Sequence, residues 1–217
     1  PAENLKVKIH SRKKGIARDI IREAHEGYDV VVSRRRGMGR IQGVILGSVS
    51  MKLLQGLTFI PLLLAGRKPP GPKMLIAMDG SPGAMKAVDF AGTFLEGRNC
   101  EFCLLGVIRG AEDRKEIEAL SDSEVLAQTA EKQIARAFEE SKQRLVASGI
   151  DPAAISTKIV TGARSRAETI VAEGRQGDFG TVIMGRRGLT RPRDFFLGRV
   201  TNKVIYLARE KSVWIIN

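Results

Sequence analysis

The stretch at residues 182–188 is Val182-Ile183-Met184-Gly185-Arg186-Arg187-Gly188, and Gly198 and Arg199 follow after nine intervening residues. The apolar run predicts a buried strand, the glycines predict a turn after it, and Gly198 predicts the start of a helix. Glycine lets backbone N–H groups come close to a phosphate, and a helix N-terminus adds positive potential. The pattern therefore predicts a nucleotide-type loop at the carboxyl end of a buried strand.

A second, altered copy of this pattern lies near the start of the chain. Residues 30–37 are Val30-Val31-Val32-Ser33-Arg34-Arg35-Arg36-Gly37, and Gly47 and Ser48 follow after nine intervening residues. Matching positions of the two copies are 150 residues apart early in the repeat and 151 later. The first copy holds only the second half of the repeated unit. In it, Arg34 stands where the first glycine should be, which hinders a close backbone approach.

Length and composition indicate a folded protein. The chain has 217 residues, of which 43% are hydrophobic and 28% charged. No apolar run is long enough to span a bilayer, the N-terminus shows no signal peptide, and two cysteines make no disulfide framework. We therefore expect a cytoplasmic protein with no membrane partner.

The net charge is +12 and is uneven along the chain. Residues 1–72 hold 14 Lys and Arg against 5 Asp and Glu, whereas residues 73–217 hold 22 against 19. A basic region of this kind attracts nucleic acid, acidic lipid or phosphate, or is simply a soluble surface. No RNP motif, zinc-ligand spacing or aromatic stacking platform is present, so a nucleic-acid partner is not expected.

Three prolines and two glycines in residues 66–72 indicate a linker. It divides the chain into a partial unit (1–66), a Pro/Gly linker (67–72) and a complete unit (73–217). In the complete unit, apolar runs predict strands at 74–78, 102–108, 157–160, 181–184 and 213–216. Helical spacing predicts helices at 84–95, 124–147, 166–173 and 199–208. Ser81 is the predicted N-cap of the first of these helices. Strands that alternate with helices predict a doubly wound α/β fold with a parallel sheet.

The chain resembles the universal stress protein family in its tandem form. The family motif is Gly-x2-Gly-x9-Gly-Ser/Thr after the fourth strand, with an Asp at the end of the first. Here Gly185, Gly188 and Gly198 match the glycines, and Asp79 matches the Asp. The resemblance implies an adenine nucleotide alpha-hydrolase-like fold with a five-stranded sheet of order 3-2-1-4-5. It also implies ATP or AMP at the carboxyl ends of the strands, where open α/β sheets bind ligands, with Mg²⁺ only if ATP is bound.

The same resemblance implies a role for each matching residue. Asp79 would accept a hydrogen bond from the adenine amino group, the backbone at Val107 would contact the base, and Gly162 would lie near the ribose. The remaining residues of the implied nucleotide site are Met184, Gly185, Gly188, Gly198, Arg199 and Val200. In the partial unit, a vestigial site would comprise Gly37, Gly47 and Ser48.

Departures from the motif leave alternatives open. Arg199 replaces the family's Ser/Thr, so it either donates to a phosphate as a charged group or fills the site with its bulk. Asp79 is alternatively a plain helix-entry residue. Arg186 and Arg187 either meet phosphates or form a solvated basic loop.

No catalytic or metal-binding constellation is evident. Cys100 and Cys103 have the spacing of a redox motif, but in a strand residues three apart face opposite sides, so we expect structural cysteines. His10 and His25 lie far from other metal-ligating residues. The main hypothesis is a non-catalytic, nucleotide-responsive stress regulator. The alternatives are an interaction scaffold with decayed loops and, third, a slow ATPase that lacks a Walker-type lysine.

The resemblance also implies an interface, because in this family the fifth strand often pairs with its counterpart in another unit. The apolar run at 58–64 and the strand at 213–216 are expected to pair in the same way, either within one chain as a pseudo-dimer or between chains as a homodimer. Residues 6–9 match the third strand of the complete unit but lack its neighbours. We therefore expect that upstream residues are missing or that another chain supplies the neighbours, and we favour truncation.

Overall fold

The computed structural model describes residues 4–9, 11, 13–34, 47–67, 69, 71–110, 120–189 and 197–217, excepting the side chains of 120–127. The helices are α1 (Ile16–Glu23), α2 (Ser48–Gly56), α3 (Pro82–Phe94), α4 (Leu120–Ala147), α5 (Arg166–Gln176) and α6 (Arg199–Leu207). The strands are β1 (Val31–Arg34), β2 (Leu62–Ala65), β3 (Lys73–Met78), β4 (Glu101–Arg109), β5 (Ile155–Ala163), β6 (Thr181–Gly185) and β7 (Ser212–Ile216). Gly37 of the predicted vestigial site lies outside the described residues.

The described strands form one sheet in the order β1-β2-β7-β6-β3-β4-β5. Its strand pairs are parallel except for β2 with β7. The strands of residues 73–217 lie side by side within it as β5-β4-β3-β6-β7. The sheet has seven described strands rather than the five expected for one unit, because β2 adds to the outer edge of β7 and extends the sheet.

The β2–β7 junction joins the two parts of the chain. Leu62 pairs with Ile215, Leu63 with Trp214 and Leu64 with Val213, in antiparallel register. The predicted pairing of the last strands is confirmed in its intrachain form. On one face of this junction, Trp214 makes edge contacts with two aromatic rings of α3, those of Phe90 and Phe94, at centroid distances of 6.2 and 5.6 Å.

Two apolar layers cover the sheet. One cluster holds residues of α1, α2, α5 and α6, and the other holds residues of α3 and α4. Cys103 belongs to the first cluster and Cys100 to the second. The expectation that these cysteines face opposite sides of the sheet is therefore confirmed.

Local sequence accounts for the way α3 begins after β3. Ser81 accepts a hydrogen bond at its Oγ from the N–H of Ala84 at 3.2 Å, and Pro82 is the first helical residue. Pro at this position loses no helical hydrogen bond, and Ser is a favoured N-cap. Ser81 is therefore the helix cap that the sequence predicts.

Residues 6–9, which match the third strand of the complete unit in sequence, form no strand. These residues have no regular secondary structure, and within the described part of the chain β1 pairs only with β2. An isolated extended segment leaves its backbone groups to water, so its alternating sequence alone does not make it a strand. The leucine, valine and isoleucine at positions 5, 7 and 9 are strongly exposed.

Candidate functional site

The candidate site lies where β3, β4 and β6 reach the same edge of the sheet. Met78, the last residue of β3, is in register with Gly106 of β4. The next residues, Asp79 and Val107, are therefore neighbours at the carboxyl ends of adjacent strands. β6 flanks β3 on its other side and ends at Gly185. The sheet thus brings together Asp79, Val107 and Gly185, which the sequence predicts for a nucleotide site.

The Asp79 carboxylate is held by two backbone donors. Its Oδ1 accepts from the N–H of Ser81 at 3.0 Å, and its Oδ2 accepts from the N–H of Leu189 at 3.3 Å. A Cβ placed on Gly188 would lie 2.2 Å from Asp79 Oδ2, so the loop backbone packs directly against this carboxylate. Asp79 therefore both shapes the helix entry and positions the loop after β6.

Gly185 is needed for close backbone packing. A Cβ on Gly185 would lie 2.5 Å from the carbonyl carbon and 2.7 Å from the oxygen of Gly83, and 3.0 Å from the nitrogen of Ala84. A Cβ on Gly83 would in turn lie 2.6 Å from the Arg187 oxygen. The first motif glycine thus lets the end of β6 contact the first turn of α3, a constraint that exists without any ligand.

Helix α6 begins at the far side of this loop with Gly198 as its N-cap. The Gly198 N–H donates to the Arg186 oxygen at 2.9 Å, and the Thr201 hydroxyl donates to the Gly185 oxygen at 2.9 Å. Gly198 offers no side-chain cap to the helix. The first-turn N–H groups therefore have neither an intrahelical partner nor a capping side chain. Arg199 is exposed and has no ion-pair partner in the described part of the chain, and Val200 is half-buried.

The β4–β5 side of the site carries an internal hydrogen bond. The Val107 oxygen accepts from Nε of Arg166, in the first turn of α5, at 3.2 Å. Gly162, near the end of β5, has a φ of +69°, which favours glycine. Met184 is only 4% exposed and belongs to the hydrophobic core, so any ligand contact by this residue would come from its backbone.

Arg186 is a buried residue, only 5% exposed, so the interpretation of it as part of a solvated basic loop is wrong. Its guanidinium donates to the Leu54 oxygen at 2.7 Å, to the Leu57 oxygen at 2.5 Å and to Oδ1 of Asn217. The first two acceptors lie at the C-terminal end of α2, where the helix macrodipole favours a cation. Burial, and secondarily Arg187, lower the pKa of Arg186 to about 10, so the side chain stays charged at neutral pH.

Arg187 is less buried than Arg186 and lies in different surroundings. It is half-buried, and its Nε has no hydrogen-bond partner among the described residues. Together with Ser81, Pro82 and Lys86 it lines a cavity of about 360 Å³ beside the start of α3. For Arg187, phosphate contact and a solvated loop position both stay predictions.

The start of helix α2, in the first part of the chain, resembles the start of α6. Helix α2 begins at Ser48 with Gly47 as its N-cap, and it too lacks a side-chain cap. Helix α6 begins at Arg199 with Gly198 in the same role. The element order α1-β1-α2-β2 likewise repeats α5-β6-α6-β7.

No cluster of metal-ligating side chains occurs within the described residues. Among the described helices, none combines the length and the apolar character that crossing a membrane requires.

Both cysteines are expected to be unreactive in the folded protein. Burial raises the pKa of the Cys100 and Cys103 thiols, which reduces the reactive thiolate at neutral pH. A chromogenic disulfide reagent should label neither thiol in buffer and both in denaturant. Rapid labelling of the native protein, at a rate near that of free cysteine, would contradict this assignment.

Comparison with known proteins identifies the family. Residues 72–217 match the model of the universal stress protein family, and this chain belongs to that family. No curated protein matches the chain in sequence. The hypothetical protein MJ0577 is a similar solved structure, with 26% identity, a TM-score of 0.54, and coverage of 66% of this chain and 94% of that one.

Two further solved structures share the fold. Universal stress protein UspA from Lactobacillus plantarum has 21% identity and a TM-score of 0.55, over 69% of this chain and all of its own. A universal stress protein from Archaeoglobus fulgidus has 20% identity and a TM-score of 0.62. That alignment covers 93% of this chain and 66% of the Archaeoglobus fulgidus protein.

Proposed function

We propose that this protein is a non-catalytic stress-response regulator that binds an adenine nucleotide, ATP or AMP. The observation that carries the proposal is the convergence of Asp79, Val107 and the 185–188 turn at one sheet edge, opposite the uncapped start of α6. Uncapped first-turn N–H groups and an exposed Arg199 suit phosphate oxygens. Mg²⁺ would accompany ATP and not AMP.

We also propose that residues 1–66 and 73–217 are tandem copies of one unit, and that nucleotide is held by the second copy. The repeated element order and the repeated glycine N-caps support this assignment. In this assignment, the β2–β7 pairing within the chain takes the place of a strand contact between two chains of a dimer. Two free cysteines agree with a reducing compartment such as the cytoplasm.

The proposal predicts that ATP and AMP bind and that Gly188→Val weakens binding at least about tenfold, or 1.4 kcal/mol. A valine there would collide with the Asp79 carboxylate, which lies 2.2 Å from an ideal Cβ. Isothermal titration on nucleotide-stripped protein measures the affinity. Gly71→Val is the matched control, because no atom lies within 4 Å of a Cβ at Gly71.

A second candidate function is a scaffold that binds no nucleotide. It is favoured by the internal hydrogen bonds that already engage Asp79 and the Val107 carbonyl. If neither ATP nor AMP gives binding heat or a thermal shift at millimolar concentration, the scaffold replaces our proposal. Phosphate release from ATP above a mock-purified control would instead support the third hypothesis, a slow ATPase.

A further inference from the structure

A small cavity lies between the 185–188 turn and the start of α3, where residues 1–66 meet the rest of the chain. Its volume is about 360 Å³, and Thr58 lines it together with residues of α3, of the turn and of the end of β7. Of the residues proposed to hold the nucleotide, Gly188 alone is among its described lining residues. Ligand cavities have volumes of roughly 300–1,000 Å³, so this one suits a small molecule.

The described lining of this cavity carries three cations and no acidic side chain. The cations are Lys86, Arg186 and Arg187. Neither Lys86 nor Arg187 takes part in an ion pair or a side-chain hydrogen bond within the part of the chain that the structure describes. A cleft lined by charges of one sign concentrates ions of the opposite sign, because its low-dielectric walls focus the field. The cavity therefore attracts an anion.

Arg187 has a buried donor that the protein does not satisfy. Its Nε is fully buried and has no hydrogen-bond partner among the described residues. Unsatisfied buried donors are rare in native proteins, and one explanation for them is a bound ion. Burial, and secondarily the charge of Arg187, lower the pKa of Arg186 to about 10, so the two guanidinium groups are close enough to repel each other. An anion in the cavity would accept from Arg187 and offset this repulsion.

The start of α3 supplies further donors to the same cavity. The Ser81 Oγ accepts from the N–H of Ala84, which leaves the hydroxyl hydrogen of Ser81 as a donor. Gly83 is the second residue of α3, so its N–H has no intrahelical acceptor. Ser81 and Gly83 both line the cavity, and the dipole of the 13-residue helix adds positive potential at this end. The donors thus surround an anion with both side-chain and backbone groups.

We propose that this cavity binds a phosphate dianion, either as the free ion or as the phosphate group of a small phosphomonoester. Arg187 donates to the phosphate through Nε, and the exposed Lys86 neutralises it as a point charge on the solvent side. Three cations suit a group that carries nearly two negative charges at neutral pH better than a single carboxylate. The inference does not depend on the proposed nucleotide site.

The test is calorimetric titration of the whole chain with inorganic phosphate and, separately, with glycerol 3-phosphate, at an ionic strength held constant with chloride. We expect Arg187→Met to raise the dissociation constant at least about tenfold, because a hydrogen bond between charged groups is lost. Tighter binding of inorganic phosphate would identify the free ion as the ligand, and tighter binding of glycerol 3-phosphate a phosphomonoester. Binding of neither at millimolar concentration overturns the inference.

Lys86→Met supplies an independent measurement, because Lys86 is exposed and its replacement leaves the turn intact. We expect it to weaken phosphate binding about two- to fivefold, as the loss of one exposed charge implies. Lys132→Met is the matched control, since Lys132 is an exposed lysine on α4. Unchanged dissociation constants in both Arg187→Met and Lys86→Met would overturn the inference.

Arg199→Met distinguishes this cavity from the start of α6. Arg199 is exposed and is not among the described lining residues, so this variant should bind phosphate as the unmodified protein does. If Arg199→Met loses phosphate binding and Arg187→Met retains it, the anion binds at the start of α6. That result overturns the inference and leaves the proposed function standing.

Discussion

Replacement of Arg186 by methionine is expected to lower the free energy of unfolding by about 3 kcal/mol. The substitution removes donors from the Leu54 and Leu57 oxygens, which Arg186 contacts at 2.7 and 2.5 Å in a buried environment. The Leu57 oxygen keeps a second donor, Nδ2 of Asn217 at 3.4 Å, so the main loss is at Leu54. A buried acceptor left without a partner costs about 1–3 kcal/mol. Methionine fills much of the volume, so the loss reports hydrogen bonds more than a cavity.

Chemical denaturation followed by circular dichroism measures this effect. Arg136→Met is the control, because Arg136 is exposed on α4 and such surface changes stay within about 0.5 kcal/mol. Arg186→Lys should fall between the two, since lysine keeps the charge but not the planar fork of donors. Equal stability of the Arg186→Met variant and the unmodified protein would show that the buried guanidinium contributes nothing net.

Replacement of Gly185 by alanine is expected to destabilise the protein by about 3 kcal/mol, through overpacking rather than through a lost ligand contact. The new methyl group would lie 2.5–3.0 Å from backbone atoms of Gly83 and Ala84. Neither neighbour has a flexible side chain that can move aside, so β6 and α3 must separate. Thermal unfolding without nucleotide measures the loss.

Gly174→Ala is the matched control for this substitution. A Cβ at Gly174 meets only side-chain carbons, at 3.8 and 3.9 Å, and the residue lies inside α5. Alanine there should stabilise the helix by up to about 1 kcal/mol. If Gly185→Ala is as stable as this control, the close approach of β6 to α3 does not require glycine.

The elements that sequence predicts well are those set by local chemistry. Ser81 before Pro82 predicts the cap of α3, and the apolar runs at 74–78 and 213–216 coincide with β3 and β7 to within one residue. The pairing of 58–64 with the last strand is an expectation from the family resemblance, and the structure shows it within the chain in the Leu63–Trp214 register.

The role of Arg186 is not predictable in the same way. Its acceptors, Leu54 and Leu57, lie 132 and 129 residues away in sequence. Two arginines between glycines are typical of an exposed, anion-binding turn, and nothing local indicates that one of them is buried. The glycine spacing predicts a close backbone approach at Gly185, but only the packing of α3 against β6 shows that the approach is to protein.

The antiparallel junction between β2 and β7 also bears on the order of events during synthesis. Leu62 and Ser212 are 150 positions apart, and β2 finds its second neighbour only when β7 has been made. At about 5–20 residues per second, translation delays this pairing by roughly 8–30 s after β2 emerges. Until then the fully buried Leu62 and Leu64 have no strand on that side, so nascent chains should depend on chaperones in this interval.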